Sequence, residues 1–300
     1  TSLFSDPIDV VSVAGNKGFQ EFLKLGENLP IRIFQVVPGG LPVDAKFSNS
    51  KSLTLSQEKT AVKHPHVLGL GEVFSWTKVT LREPNTMKSL SSMLECDCII
   101  NGHTAGASEK KLNAYVSSGI LSCHEPINFD QVLERLRLGM WIMIREGSIR
   151  RDLNEIIPRV LSHGTYLNRL MFCSDGLDPL DITKFGHIDH CIRESIRHGL
   201  KPIDAVTIAS KNNFDYYNMG KDLGGIAPGK LADILIFDDL KSFKPTKVFV
   251  GGKLVISNGR FVIPIKKKPI PSWIKKTVKL KNFSKNDFLI KSKKKNVLAN

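Results

Sequence analysis

Apolar residues in this chain gather into short runs that alternate with longer amphipathic stretches. The runs cover 31–37 (IRIFQVV), 67–73 (VLGLGEV), 97–101 (DCIIN), 120–123 (ILSC), 140–144 (MWIMI) and 169–174 (RLMFCS). Most lack polar alternation and end at turn residues, as parallel strands buried on both faces do. Between them, residues 55–64, 108–115, 130–136, 151–162 and 188–199 read as helices. Residues 130–136 space their apolar positions at three and four, and Ser108 is an expected N-cap. Strand, helix, strand with short links predicts βαβ units and an α/β body with a parallel sheet.

After about residue 224 the pattern changes. Gly224-Gly225, Pro228-Gly229 and Gly251-Gly252 punctuate strand-like runs at 231–237, 246–250 and 254–257. These predict hairpins and a small β unit separate from the α/β body. No internal repeat is visible.

With 300 residues, 41% of them hydrophobic, the chain has room for one large domain or two modest ones. No apolar run reaches the ~18 residues of a membrane span, so no membrane association is expected. The start, TSLFSDPIDV, shows no signal peptide and no initiator Met, which predicts a processed or clipped chain. The five cysteines (96, 98, 123, 173, 191) form no CxxC pair and sit mostly in apolar runs. They read as buried thiols in a reducing, cytoplasmic compartment.

Charge changes the picture at one end. Of the net +14, residues 241–300 hold 17 Lys/Arg against the single acid Asp287, while residues 1–240 come to −2. Lys triplets at 266–268 and 293–295 lie near Trp273, Phe283 and Phe288, a combination that can serve nucleic acid. The apolar/basic alternation reads better as exposed strands, so nucleic-acid binding is not expected.

Function in a parallel α/β body gathers at the carboxyl ends of its strands. Those ends carry Glu72, His103, His124, Glu125, Arg145, Glu146 and Asp175. Imidazoles and carboxylates suit Zn, Mn or Fe. Two of each could hold one or two divalent ions around a water of lowered pKa, with a carboxylate as proton carrier. A lone His at a strand end is usually an ordinary satisfied polar residue. It is the series that favours a metal site, and spacing alone leaves both readings open. P-loop, GxGxxG, HExxH, GxSxG and the HxE…PCxxC pattern of zinc nucleobase deaminases are absent.

The segments INGHTAG, KLNAYVSSGILSCHE, LRLGMWIMIREGS, GHIDH and DLGGIAPGKLADILIFDDL together resemble the adenine deaminase family of the amidohydrolase superfamily. The likeness runs from SDP at 5–7 to VFVGGKLV at 248–255 and is most specific over 112–149. It implies a (β/α)8 TIM-type barrel, incomplete at the N-terminus, with a small β-sandwich domain formed by the C-terminal part. The implied divisions are 1–224 (barrel strands three to eight), 225–265 (small β domain) and 266–300 (basic, β-rich start of a further domain). Strand two would fall at or before Thr1.

The resemblance further implies hydrolytic deamination of adenine to hypoxanthine and ammonia, in purine salvage. It implies a binuclear divalent centre of Mn(II) or Fe(II), with Zn tolerated. Glu72 would bridge the metals, with His103 and His124 as ligands and Asp175 as ligand and general base. Glu125 would carry a proton to the ring. Arg145, Glu146 and His187 would contact substrate, and His190 would hold loop geometry. A homo-oligomer acting on a small molecule is expected.

Two departures stand out. The family's first-strand His-x-His pair has no counterpart, since the chain's own His64-Pro65-His66 precedes the strand of Glu72. The family's SDPHE reads Ser5-Asp6-Pro7-Ile8-Asp9. A piece of a longer chain is therefore expected. The alternatives are an amidohydrolase acting on another heterocycle and a decayed barrel that only binds.

Overall fold

The computed structural model describes residues 1–27, 29–41, 48–265, 268–275, 277, 282–289 and 291–292. Two compact units divide the chain, Thr1–Lys267 and Lys268–Asn300. The first unit opens with β1 (Ser2–Ser5), α1 (Ile8–Gly26), β2 (Arg32–Val37), α2 (Leu55–Ala61) and β3 (Val67–Val73). It continues with α3 (Trp76–Thr80), α4 (Pro84–Glu95), β4 (Ile99–Gly102), α5 (Glu109–Val116) and β5 (Ser122–Cys123). Next come α6 (Phe129–Arg137), β6 (Trp141–Arg145), α7 (Leu153–His163) and β7 (Leu170–Cys173). Four helices follow: α8 (Pro179–Phe185), α9 (Ile188–Arg197), α10 (Pro202–Ala209) and α11 (Lys211–Tyr216).

The strands pair in parallel in chain order, β1-β2-β3-β4 and then β5-β6-β7. Between β4 and β5 the ladder gives way to side chains: Gly102 N donates to Ser122 Oγ at 3.3 Å, and Ser122 Oγ to Asn101 Oδ1 at 3.3 Å. This is the curled parallel sheet of a TIM-type barrel, with strand ends converging at one mouth. Two apolar clusters hold it. One packs Leu70, Ile100, Tyr115 and Ile120 with Phe19 of α1 and Met93 of α4. The other packs Ile142, Ile144, Leu170 and Phe172 with Ile156, Ile157 and Cys191.

Local chemistry explains the helix starts. Thr54 accepts from Gln57 N while the Gln57 side chain accepts from Thr54 N, a reciprocal cap that opens α2. Asn128 caps α6 through Gln131 N. Ser108 sits at the start of α5 in extended backbone, without the expected side-chain hydrogen bond.

Four differences from the sequence reading have physical causes. The strand expected at or before Thr1 lies at Ser2–Ser5, where half-buried SLFS is too short and polar to stand out as an apolar run. Helix α1, unexpected from its Val-rich start, bends at Gly15 (φ 63°). The small β unit does not separate at residue 224. Its strands β8 (Ile234–Phe237), β9 (Pro245–Val250), β10 (Lys253–Ser257) and β11 (Arg260–Phe261) form one antiparallel sheet in the order β11-β10-β9-β8, rather than a sandwich, among the described residues. Phe243 joins the barrel core with Phe237 packed against it, and Asp233 pairs with Arg32 of β2, so this sheet and the barrel make one unit. Beyond it, the expected β-rich stretch 266–300 falls partly outside the described residues. What is described holds two 3-10 turns, Ser272–Lys275 and Lys285–Phe288. No helix among the described residues is long and apolar enough to cross a membrane.

Candidate metal centre

Glu72, His103, His124, Glu125 and Asp175 meet at the barrel mouth. His103 Nδ1 lies 3.2 Å and His124 Nε2 3.5 Å from Glu72 Oε2. Glu125 Oε1 lies 3.2 Å from His124 Nε2 and 3.8 Å from His103 Nδ1. Two sets of donor atoms, Glu72–His103–His124 and His124–Glu125–Asp175, each fall within 4.8 Å of one another. Their chemistry fits a divalent ion, because imidazole and carboxylate donors converge without thiolates. His124 belongs to both sets, its Nε2 3.5 Å from Glu72 Oε2 and 3.2 Å from Glu125 Oε1.

Each donor is held from behind. Tyr115 of α5 is fully buried; its hydroxyl donates to Val73 O (2.8 Å) and accepts from His103 N (3.0 Å). That ties the end of β3 to the end of β4. Asp175 closes β7 in left-handed backbone (φ 53°), which Asp tolerates better than most residues. Gly176 N donates to its Oδ1 at 2.8 Å, fixing the carboxylate.

Arg145 ends β6 and is buried. Its Nη1 lies 2.5 Å from Glu125 Oε1 and 3.1 Å from Asp175 Oδ2, and its Nε 3.2 Å from Asp152 Oδ2. Burial pushes the Glu125 carboxyl up. The hydrogen bond from His124 and the charges of His124, His103 and Arg145 outweigh that and hold it at about 2. Burial disfavours the charged form of His124, yet the neighbouring Glu125 and Glu72 raise its pKa overall.

A cavity of ≈ 990 Å³ runs along β1, from Glu72, His124, Asp175, His187 and Asp6 at the mouth to Phe214 and Phe243 away from it. Arg145, Glu125 and Glu146 do not line it. Glu146 follows Arg145 and faces α9 instead, where His190 Nε2 lies 3.6 Å from its Oε1. His187 reaches the β7 end, its Nε2 3.1 Å from Ser174 Oγ.

Asp6 went unnoticed as a functional group in the sequence. It follows β1 as Glu72 and Asp175 follow or end theirs, and the short, half-buried SLFS before it does not stand out as a strand. Its Oδ2 accepts from Glu72 N at 3.1 Å, and its buried Oδ1 has no hydrogen-bond partner among the described residues. Gly71 makes room for it, since a Cβ there would fall 2.1 Å from Asp6 Oδ2. Burial is the main cause that raises its carboxyl to about 7, with the Glu72 charge adding to it.

The amidohydrolase family model matches residues 1–255. The chain belongs to the amidohydrolase family. It is 57% identical over its whole length to an adenine deaminase of Cenarchaeum symbiosum, covering 49% of that protein. It is 34% identical over 99% of its length to an adenine deaminase of Kosmotoga olearia, covering 51% of that protein. The adenine deaminase resemblance of the sequence is thus borne out, and the chain spans about half the length of these relatives. Among solved structures, a β-aspartyl dipeptidase of Fervidobacterium islandicum AW-1 aligns with a TM-score of 0.65 at 17% identity, over 88% of this chain and 76% of its own. That likeness speaks for the barrel fold alone.

Proposed function

We propose that this chain supplies the metal centre of an enzyme that hydrolyses adenine to hypoxanthine and ammonia. The observation that carries it is the convergence of Glu72, His103, His124 and Asp175 at one barrel mouth, in a chain 57% identical to an adenine deaminase. Mn(II) or Fe(II) suits the donors, and Zn is tolerated. Glu72, His103, His124 and Asp175 would hold the ions of a binuclear centre.

Glu72, His103 and His124 would hold a divalent ion, which would supply hydroxide near neutral pH by lowering the pKa of water. Asp175, on the cavity wall, takes the proton of the attacking water and delivers it to the departing amine. Arg145 holds that carboxylate in place at 3.1 Å. Glu125, expected to protonate the ring, lies 3.2 Å from His124 Nε2 and 2.5 Å from Arg145 Nη1, where it also orients those two groups. Asp6 lines the same cavity with its Oδ1 unpartnered among the described residues, and is the carboxyl placed to give a proton to a ring nitrogen. His187 bounds the adenine pocket beside Asp175.

The test is ammonia release from adenine by the longest natural form of the protein loaded with Mn(II), beside Asp175→Asn. Release by the parent and a loss of at least about 10³-fold in the variant are expected for a group that moves protons. No release despite bound metal would point to another heterocycle. No release and no bound metal would favour a barrel that only binds.

A further inference from the structure

The turn after β4 carries His103 and then Thr104. The turn after β5 carries His124 and Glu125. A chain of polar contacts runs behind both. It starts at Arg135 of α6, whose side chain is only 3% exposed. Its Nε donates to Thr104 Oγ1 at 2.9 Å, and its Nη2 to the carbonyls of Thr104 (3.1 Å) and Ala107 (3.2 Å). Nη1 donates to Gln131 O at 3.1 Å and sits 3.5 Å from Glu134 Oε2. Thr104 Oγ1 lies 2.7 Å from Cys123 Sγ, and the same sulfur accepts from Glu125 N at 3.3 Å. Thr104 and Cys123 are both fully buried.

Burying a guanidinium is costly unless its donors are satisfied. Here three of its hydrogen bonds go to residues 104–107, the turn that begins one residue after His103. Thr104 Oγ1 accepts from Arg135 and shares a second hydrogen bond with Cys123 Sγ, in which either group can donate. Cys123 in turn holds the backbone of Glu125, next to His124. One buried cation thereby fixes two turns whose imidazoles must meet at a single ion. Outer partners of this kind set ligand orientation in metal sites.

We propose that Arg135, acting through Thr104 and Cys123, is a positioning residue for His103, His124 and Glu125, setting metal affinity without touching metal or substrate. This rests on the metal-centre reading above.

The experiment measures Mn(II) affinity by calorimetric titration, and thermal melting without metal, for the parent protein, Thr104→Val, Cys123→Ala and Arg135→Lys. Ile157→Val, in the apolar core between β6 and α7, is the destabilised control. Each relay variant is expected to bind Mn(II) about 10- to 100-fold more weakly, the usual effect of disturbing such outer partners. The control is expected to melt earlier and bind as the parent does. Thr104→Val preserves side-chain shape, and Cys123→Ala disturbs the far end of the relay, so the outcome does not hang on Arg135→Lys folding. Folded relay variants that bind within about twofold of the parent, however early they melt, would overturn the proposal. A parent that binds no Mn(II) would instead remove the metal-centre reading and the relay's purpose with it.

Discussion

Arg145 and Glu146 are adjacent in the chain and belong to different surroundings. Alternation at the end of β6 sends Arg145 to the carboxylates of the mouth and Glu146 to the helix layer, against His190. Glu146 Oε2 is buried without a hydrogen-bond partner among the described residues. Burial, with Glu194 and Asp152 adding and Arg151 opposing, raises its carboxyl to about 7 from 4.5. His190, itself pushed down by burial, does not offset this with a full charge. The sign follows from linkage. A carboxyl whose folded value lies above its unfolded value costs nothing below about pH 4.5, and the fold loses stability as pH climbs from there to about 7. Glu146→Gln should therefore match the parent at pH 4 and exceed it at pH 8, by at most about 3 kcal/mol. Urea unfolding at both pH values checks this, and a gain that does not grow with pH would refute it. The resemblance implies Arg145 and Glu146 together as substrate contacts. Only register tells which of two neighbours faces the mouth.

Elements were legible where burial is two-sided. β2, β3, β6 and β7 lie where apolar runs placed them, because parallel strands under helices cannot afford polar alternation. The hairpins at β8–β10 were marked by paired glycines. β1 and α1 were not legible: one is half-buried throughout, and the other bends at a glycine inside a β-branched stretch. The donor residues were legible for the same reason as the strands, since a polar group that ends a buried run has one place to go. Asp6 escaped because its strand did. Gly102 shows how tightly elements fix the centre. A Cβ on it would fall 2.4 Å from Ser122 O and 2.7 Å from Ile120 Cγ2, at the seam where side chains replace the β4–β5 ladder. Gly102→Ala must push β4 from β5 and part His103 from His124. The expected cost is about 1–3 kcal/mol in urea unfolding, together with weaker Mn(II) binding. An alanine variant as stable as the parent would mean that the two strands can separate freely.

At the scale of the molecule, the seven parallel strands do not share their burdens equally. β3 and β6 are paired on both sides, and β6 is packed among fully buried side chains. β1 pairs with β2 along one side, is half-buried throughout, and lines the ≈ 990 Å³ cavity that β7 also borders. A strand that is half-buried throughout opens at lower free energy than one packed among fully buried side chains. Yet β1 leads directly into Asp6, whose Oδ2 receives Glu72 N from β3. The weakest part of the sheet therefore carries a carboxyl that belongs to the mouth. Native-state hydrogen exchange should find the amides of β1 exchanging on the order of 100-fold faster than those of β6. Adenine held against Asp6 would make β1 harder to open, so saturating adenine with Mn(II) should slow β1 more than β6. Equal protection of the two strands would show that side-chain burial does not rank them. Slowing by adenine that spares β1 would argue that Asp6 takes no part in binding the ring.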